Sequence, residues 1–320
     1  MIIKNVARLL SPGGRQARLS ILIFHRVLPQ VDALFPQEQD ARRFTEVLSW
    51  VGRWFQVMPL DEAVRRLRDK TLPARAAAIT FDDGYADNAT HALPILLHHK
   101  MVATFFVASG FLDGGRMWND SIIEAVRNCR GKVLDLRDVG HGIHPVESNE
   151  QQRTAIAALL NQIKYLDPAR RHESVACIEE VSRVTLGEDL MMSSKQVVEL
   201  HHAGMQIGAH TCTHPILTRL SDAQALDEIR GSKVALESLL GDPVRLFAYP
   251  NGQPEKDYRA QHARMVQTAG FIGAVSTAAG AAAMHTDMYQ LPRFSPWDRS
   301  SVRYGVRMVA NLLRCPVVAA

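Results

Sequence analysis

The sequence predicts an α/β protein whose parallel sheet is covered by helices, either closed as a barrel or open and doubly wound. Three observations carry that expectation. Apolar runs of strand length alternate with segments whose apolar residues recur at helical spacing. The 320 residues, 47% of them hydrophobic, suffice to bury a large core as one big domain or two smaller ones. Finally, four of the strand-like runs end in residues that carry chemistry, and ligand sites of parallel α/β sheets lie beyond the carboxyl ends of their strands.

In chain order, Leu19-Ser20-Ile21-Leu22-Ile23-Phe24 reads as a buried strand that opens into a loop at His25. Residues 42–55 and 60–68 read as amphipathic helices, and Pro73 leads into a second apolar run, Ala77-Ala78-Ile79-Thr80-Phe81, which stops at Asp82-Asp83-Gly84. Helical spacing over 87–100 and the run Val102 to Val107 complete a βαβ unit. From Met117 to Met191 the pattern is mainly helical, with a loop-like stretch at 139–145. It is expected to be an insertion on the catalytic face whose Trp118, Asn119 and Asp120 are candidate substrate contacts, with packing as the other role of a Trp that opens a helix. Regular alternation then resumes. A helix capped by Ser193 or Ser194 runs to His202, a strand over 205–209 ends at His210, and helix 222–240 follows. A strand over 245–249 then ends at Tyr249-Pro250-Asn251-Gly252, before a helix over 256–269 and a strand over 271–276. The expected organisation is one catalytic domain over 1–320, with a barrel core at 19–116 and 192–298 and a helical insertion at 117–191.

Lys and Arg number 37 against 33 Asp and Glu, a net charge of +4 without any basic block, so the composition gives no nucleic-acid footprint. Cysteines 129, 177, 212 and 315 are widely spaced and form no CxxC pair, as expected of reduced thiols. No signal-peptide pattern or membrane-length apolar stretch is found, which points to a cytoplasmic protein. Residues 2–18 and 301–314 mix apolar and basic residues. They read as solvated helices, with weak contact to a membrane surface, at its inner face, as the alternative.

Asp82-Asp83-Gly84 admits two readings, a turn or a site. Buried adjacent carboxylates are costly unless held, and Gly84 would let both lean over the sheet edge, one binding a metal while the other handles a proton. His210 and His214, four apart, would share one face of a helical turn. With a carboxylate from another strand they would make a two-His, one-carboxylate metal site, whereas a strand cap and a loop residue are the bland alternative. Cys212 between them should point elsewhere.

Thr80-Phe81-Asp82-Asp83-Gly84 and His210-Thr211-Cys212-Thr213-His214 resemble the first two motifs of the polysaccharide deacetylase family, the NodB-homology carbohydrate esterases. Phe247-Ala248-Tyr249-Pro250-Asn251-Gly252 resembles the third. The resemblance runs from about Ile21 to Phe294. It implies a distorted (β/α) barrel with Asp83, His210 and His214 as ligands of a divalent metal, zinc in the first place, with cobalt, nickel and manganese as alternatives. It also implies Asp82 as general base; Tyr249, Pro250 and Asn251 of the third motif, together with Trp118 of the insertion, are the expected substrate residues. Two departures from the family pattern stand out. Ala248 occupies the place of an Arg that orients the base in many relatives, so that partner is either absent or supplied by Arg245 or Arg293. Leu291-Pro292-Arg293 stands where relatives carry Leu-x-His, and because an Arg is a poor general acid, His25 is the candidate proton donor, with packing or substrate orientation as its other role. The implied activity is hydrolysis of an N-acetyl group on a sugar of a polysaccharide, oligosaccharide or lipid-linked glycan precursor. Deformylation, O-deacetylation or glycan binding with little turnover are the alternatives.

Overall fold

A computed structural model describes residues 2–295 and 297–320. Nine strands form: β1 Ser20–Phe24, β2 Gln56–Val57, β3 Ala76–Phe81, β4 Ala103–Val107, β5 Val133–Leu136, β6 Gly142–Pro145, β7 Gln206–Ala209, β8 Leu246–Ala248 and β9 Gly273–Val275. Seven make one parallel sheet in the order β1-β3-β4-β7-β8-β9, with β2 pairing the start of β3. The gap between β9 and β1 is bridged by an irregular segment. Leu291 exchanges backbone bonds with Ala274 and Ser276 of the β9 edge, and Phe294 exchanges them with Ile21 and Ile23 of β1. The sheet therefore curls into a distorted barrel whose closing stave is the stretch around Arg293.

Alternation of side chains along the strands separates two cores. Leu22, Phe24, Ile79, Phe81, Phe105 and Phe247 face the surrounding helices, and the Phe24, Phe44 and Phe81 rings meet about 5.5 Å apart. Ile21, Ala76, Ala78, Phe106, Leu246, Ala248, Val275 and Leu291 belong to the second cluster, on the opposite face. On β3 the residues in step with Ala76 and Ala78 are Thr80 and then Asp82, so the catalytic-looking carboxylate continues an otherwise small and apolar row. The Phe106 ring of the second cluster fits because Gly208 on β7 has no side chain, and a Cβ there would run into it.

The helices form largely where their spacing and caps place them. Asp40, Ser193 and Ser221 each accept a backbone N–H at the start of Ala41–Trp54, Ser194–His202 and Asp222–Leu240. Two expectations change. The helix after β3 contains a wide π turn, Asn88–Ala92, just before Pro94, whose missing N–H disfavours regular α-helical bonding there. The helix expected from 256 begins only at Ala260, because the Asp257 carboxylate turns back to accept the Gln253 N–H.

The stretch from 118 to 182 holds helices Trp118–Arg127, Asn149–Ile163 and Pro168–Ser182 around an apolar cluster of their own, which also takes in Leu34 from the loop after β1. The part expected to be loop-like at 139–145 instead completes an antiparallel hairpin, β5 with β6, whose Leu134 and Leu136 are buried in that cluster while Val133 and Asp135 face out. Among the described residues, no helix is long and apolar enough to cross a membrane.

Candidate active site

Asp82 and Asp83 follow directly on β3. In extended backbone their side chains would diverge, but Asp83 adopts φ +77° and Gly84 φ +91°, which turns the chain so that both carboxylates line one cavity. A side chain at Gly84 would be strained at that φ, and its Cβ would stand 3.2 Å from Val107.

The two histidines arrive differently from the expectation. Residues 210–214 form no helical turn; Thr211 and His214 are both left-handed, at φ +63° and +54°. Glu228 accepts hydrogen bonds from the N–H groups of Cys212 and Thr213 at 2.8 and 2.9 Å and from the Thr213 hydroxyl at 2.7 Å, so a carboxylate on Asp222–Leu240 shapes this bend. Cys212 points toward that helix, its Sγ 3.7 Å from the Glu228 carbonyl, as its spacing suggested. His210 Nε2 and His214 Nε2 each stand 3.4 Å from Asp83 Oδ1. Among the described residues these three form a group able to hold a metal ion, with ligand atoms all within 4.8 Å of one another. The His210 Nδ1–H donates to the Ala248 carbonyl at 2.7 Å, which fixes the tautomer and leaves Nε2 for the cavity. The donor set and its orientation fit a borderline divalent cation.

Asp82 is held by Arg293. The guanidinium forks both carboxylate oxygens at 2.6 Å, and its Nε donates to the Ser276 carbonyl at 2.9 Å. Both side chains are buried, and Arg293 is entirely so. Burial alone would raise the Asp82 pKa, yet the Arg293 charge together with His210 holds it below the usual carboxylate value. Burial likewise works against Asp83, but the His210 hydrogen bond and the His214 charge outweigh it and hold Asp83 well below the usual carboxylate value. Burial pushes His214 down to about 4. It works against protonated His210 as well, but there the charges of Asp82 and Asp83 prevail and the shift is upward. A field that favours positive charge at His210 is one that a cation beside Nε2 would also satisfy. Of the two arginines considered for the base, Arg245 lies exposed before β8, at the opposite end of the strand from the site.

The remaining site positions divide. His25 is exposed at the end of β1 and lines the cavity. Its loop is pinned from the π turn: Asn88 donates to the His25 carbonyl at 2.9 Å, and Asp87 accepts from the Val27 N–H at 3.0 Å and from Arg26 at 2.7 Å. Trp118 lines the cavity beneath the Arg171 guanidinium, 5.4 Å away. Asn251 lines it too, its Oδ1 accepting from Lys164 of the insertion at 2.7 Å. Tyr249 is corrected: it is fully buried, stacked on Tyr258 at 3.9 Å with its hydroxyl bonded to the Tyr289 carbonyl, because the β8 pleat turns it into the core. Pro250 is buried and does not line the cavity either.

The cavity, about 560 Å³, has the metal-type cluster and the Asp82–Arg293 pair in its wall, with the loop after β1 and the insertion forming other walls. Asp120 joins it from the first turn of Trp118–Arg127. Burial first, then the charge of Asp83, raises its carboxyl to about 7, and the Tyr85 hydroxyl donates to it at 3.0 Å. Asp120 was noticeable in the sequence only as part of Trp118-Asn119-Asp120, whereas Lys164 and Arg171 gave no local signal.

The sequence profile of the polysaccharide deacetylase family matches residues 69–166 and 172–270, well over half of the chain. The chain belongs to the polysaccharide deacetylase family. This deacetylase-family chain is similar to YxkH of Bacillus subtilis (strain 168), which carries a polysaccharide deacetylase name, with 21% identity over 281 residues covering 87% of this chain and 71% of that protein. Among solved structures, its fold is similar to IcaB from Ammonifex degensii (TM-score 0.59, 19% identity, 93% of this chain and 98% of that one). It is also similar to the Streptococcus pyogenes deacetylase PplD in complex with acetate (TM-score 0.58, 18% identity, 88% and 92%). The family is one of hydrolases built on this distorted barrel.

Proposed function

We propose that the protein is a metal-dependent hydrolase that removes N-acetyl groups from a sugar of a glycan or glycan precursor. The observation that carries this reading is the buried Arg293 fork on Asp82 beside the Asp83, His210 and His214 cluster, in the wall of one cavity. A cluster meant only to hold a metal has no use for a second buried carboxylate with its own dedicated guanidinium, whereas hydrolysis needs a base next to the electrophile.

Asp83, His210 and His214 would hold the divalent cation, zinc in the first place, which when bound would polarise the acetamide oxygen and acidify water nearby. Asp82 accepts the proton of the attacking water. Each of its oxygens has two lone pairs and the fork takes one, so the carboxylate remains an acceptor while being fixed in place. The Arg293 charge makes Asp82 a weaker base but keeps it ionised at neutral pH. As the C–N bond breaks, the nitrogen needs a proton, and His25 at the cavity edge is the proposed donor. The products are the free amine and acetate.

Acetate release from N-acetylated oligosaccharides tests the reading. Asp82→Asn is expected to lower turnover by about 10²-fold or more while leaving metal content intact. Equal turnover in wild type and this variant would remove the base. His25→Asn should remove the limb of the pH–rate profile that reports the acid, and an unchanged profile with full turnover excludes His25.

A further inference from the structure

Residues 2–18 and 301–314, which the sequence offers as solvated helices with a membrane-facing alternative, converge on one face. Helices Ile2–Leu10 and Ser301–Asn311 pack against each other and against Ala41–Trp54. Ile3 sits so close over Gly305 that a Cβ there would stand 3.0 Å from it. Each helix buries one side, Ala7 on the first and Tyr304, Met308 and Asn311 on the second. At about 100° per residue, Ile2, Val6 and Leu9 form another apolar stripe on the first helix. Val302 and Val306, with Leu313 beyond, form one on the second. All six are exposed, from 37% for Val6 to 79% for Leu9. Because Ile3 and Gly305 mark the contact line, the two stripes run side by side. Of the 17 large hydrophobic side chains exposed among the described residues, these six lie on two packed helices and the turn after the second, a concentration that scattered surface apolars do not show.

The unpaired charge on this face is basic, since Asp298, just before the last helix, is taken up by Arg307. Neither helix contains an acidic residue. Arg8 and Arg303, with Arg53 on the adjoining helix and Arg314 after the last one, are exposed, and Lys4 is exposed on the opposite side of the first helix from its stripe; among the described residues none of the five makes an ion pair. We propose that this face docks on an anionic membrane surface, with the two helices lying in the interface plane, their apolar stripes in the acyl boundary and their bases against headgroups. A second copy of the chain is the weaker occupant, because a self-complementary contact would bring like-charged flanks together. Arg299, just before the last helix, donates to the Pro36 carbonyl at 2.8 Å, and the neighbouring Phe35 lines the catalytic cavity. The proposal does not depend on the reaction assigned above.

Co-sedimentation with vesicles of phosphatidylcholine alone, or with added phosphatidylglycerol, tests it. Binding to the anionic vesicles should be tighter by on the order of tenfold or more and should weaken at high salt. Leu9→Glu with Val306→Glu should keep the thermal transition and lose anionic-vesicle binding by about tenfold or more. If that variant fails to fold, Arg8→Gln with Arg303→Gln serves instead, and should abolish the preference for anionic lipid. Equal pelleting with both vesicle types overturns the proposal. So does wild-type binding in either variant, or a dimer that Leu9→Glu with Val306→Glu dissolves in a protein that never pellets with vesicles.

Discussion

Asp82 and Arg293 depend on each other more than any other pair in the site. Removing one partner of a buried ion pair leaves an uncompensated charge, which costs roughly 3–5 kcal/mol. Arg293→Gln is therefore expected to lower stability by that order and to lower kcat more than KM shifts, since Asp82 would take up a proton or swing from its position. Arg293→Lys keeps the charge but replaces the planar fork with a point donor, so it should recover much of the stability and little of the turnover. Denaturant unfolding and steady-state kinetics on the two variants separate these effects, and an Arg293→Gln enzyme with normal kcat and stability would end the assignment. The pairing was only half legible in sequence. Asp82 announces itself as a carboxylate after an apolar run, but Arg293 lies 211 positions away, and in sequence it is only one of two arginines, with Arg245, that could replace the one missing at Ala248. Its role appears when the segment from Leu291 to Phe294 closes the barrel and points the guanidinium inward. The same arrangement explains why Ala248 suffices where an arginine stands in relatives: the position is filled from the other side of the barrel.

Among the elements, helix Trp118–Arg127 brings the insertion to the cavity, and its buried Asp120 makes stability depend on pH in an unusual direction. A carboxyl raised to about 7 in the fold but ionising near 3.8 when unfolded binds more protons folded than unfolded between those values. Stability should therefore fall as pH rises from about 4 to about 7 and lose no more above that, by an amount whose upper bound is on the order of 4 kcal/mol. The measurement belongs on metal-free protein, because a cation beside Asp83 cancels one of the charges that raise Asp120. Asp120→Asn should match wild type near pH 4 and exceed it near pH 8 in urea unfolding; parallel stability curves for the two proteins would show that Asp120 ionises normally. At this scale too the local signals had limits. The bend at 210–214 looked like a helical turn because spacing four suits one, whereas its shape comes from left-handed residues and from Glu228, 14 positions beyond His214, whose part no local pattern reveals. Tyr249 stands next to the cavity residues in sequence but points into the core, since a strand end alternates faces at every residue.

At the scale of the whole molecule, three strand ends, those of β1, β3 and β7, and the loop after β8 reach one cavity because the parallel sheet presents its carboxyl edge on one side, so a cation held by Asp83, His210 and His214 would tie together segments 127 residues apart (Asp83 to His210). Any ligand that binds the folded chain and not the unfolded one adds stability by mass action, about 2.7 kcal/mol at a hundredfold excess over Kd. For a domain of this size that should raise Tm by roughly 5 °C. Zinc added to chelator-treated protein is thus expected to raise Tm in a concentration-dependent way, and chelator should reverse the rise. His214→Ala should show almost none of it, while Asp82→Asn, which leaves Asp83 and both imidazoles in place, should show it in full. A shift of equal size in the His214→Ala protein would place the cation elsewhere and dissolve the link drawn between β3 and β7.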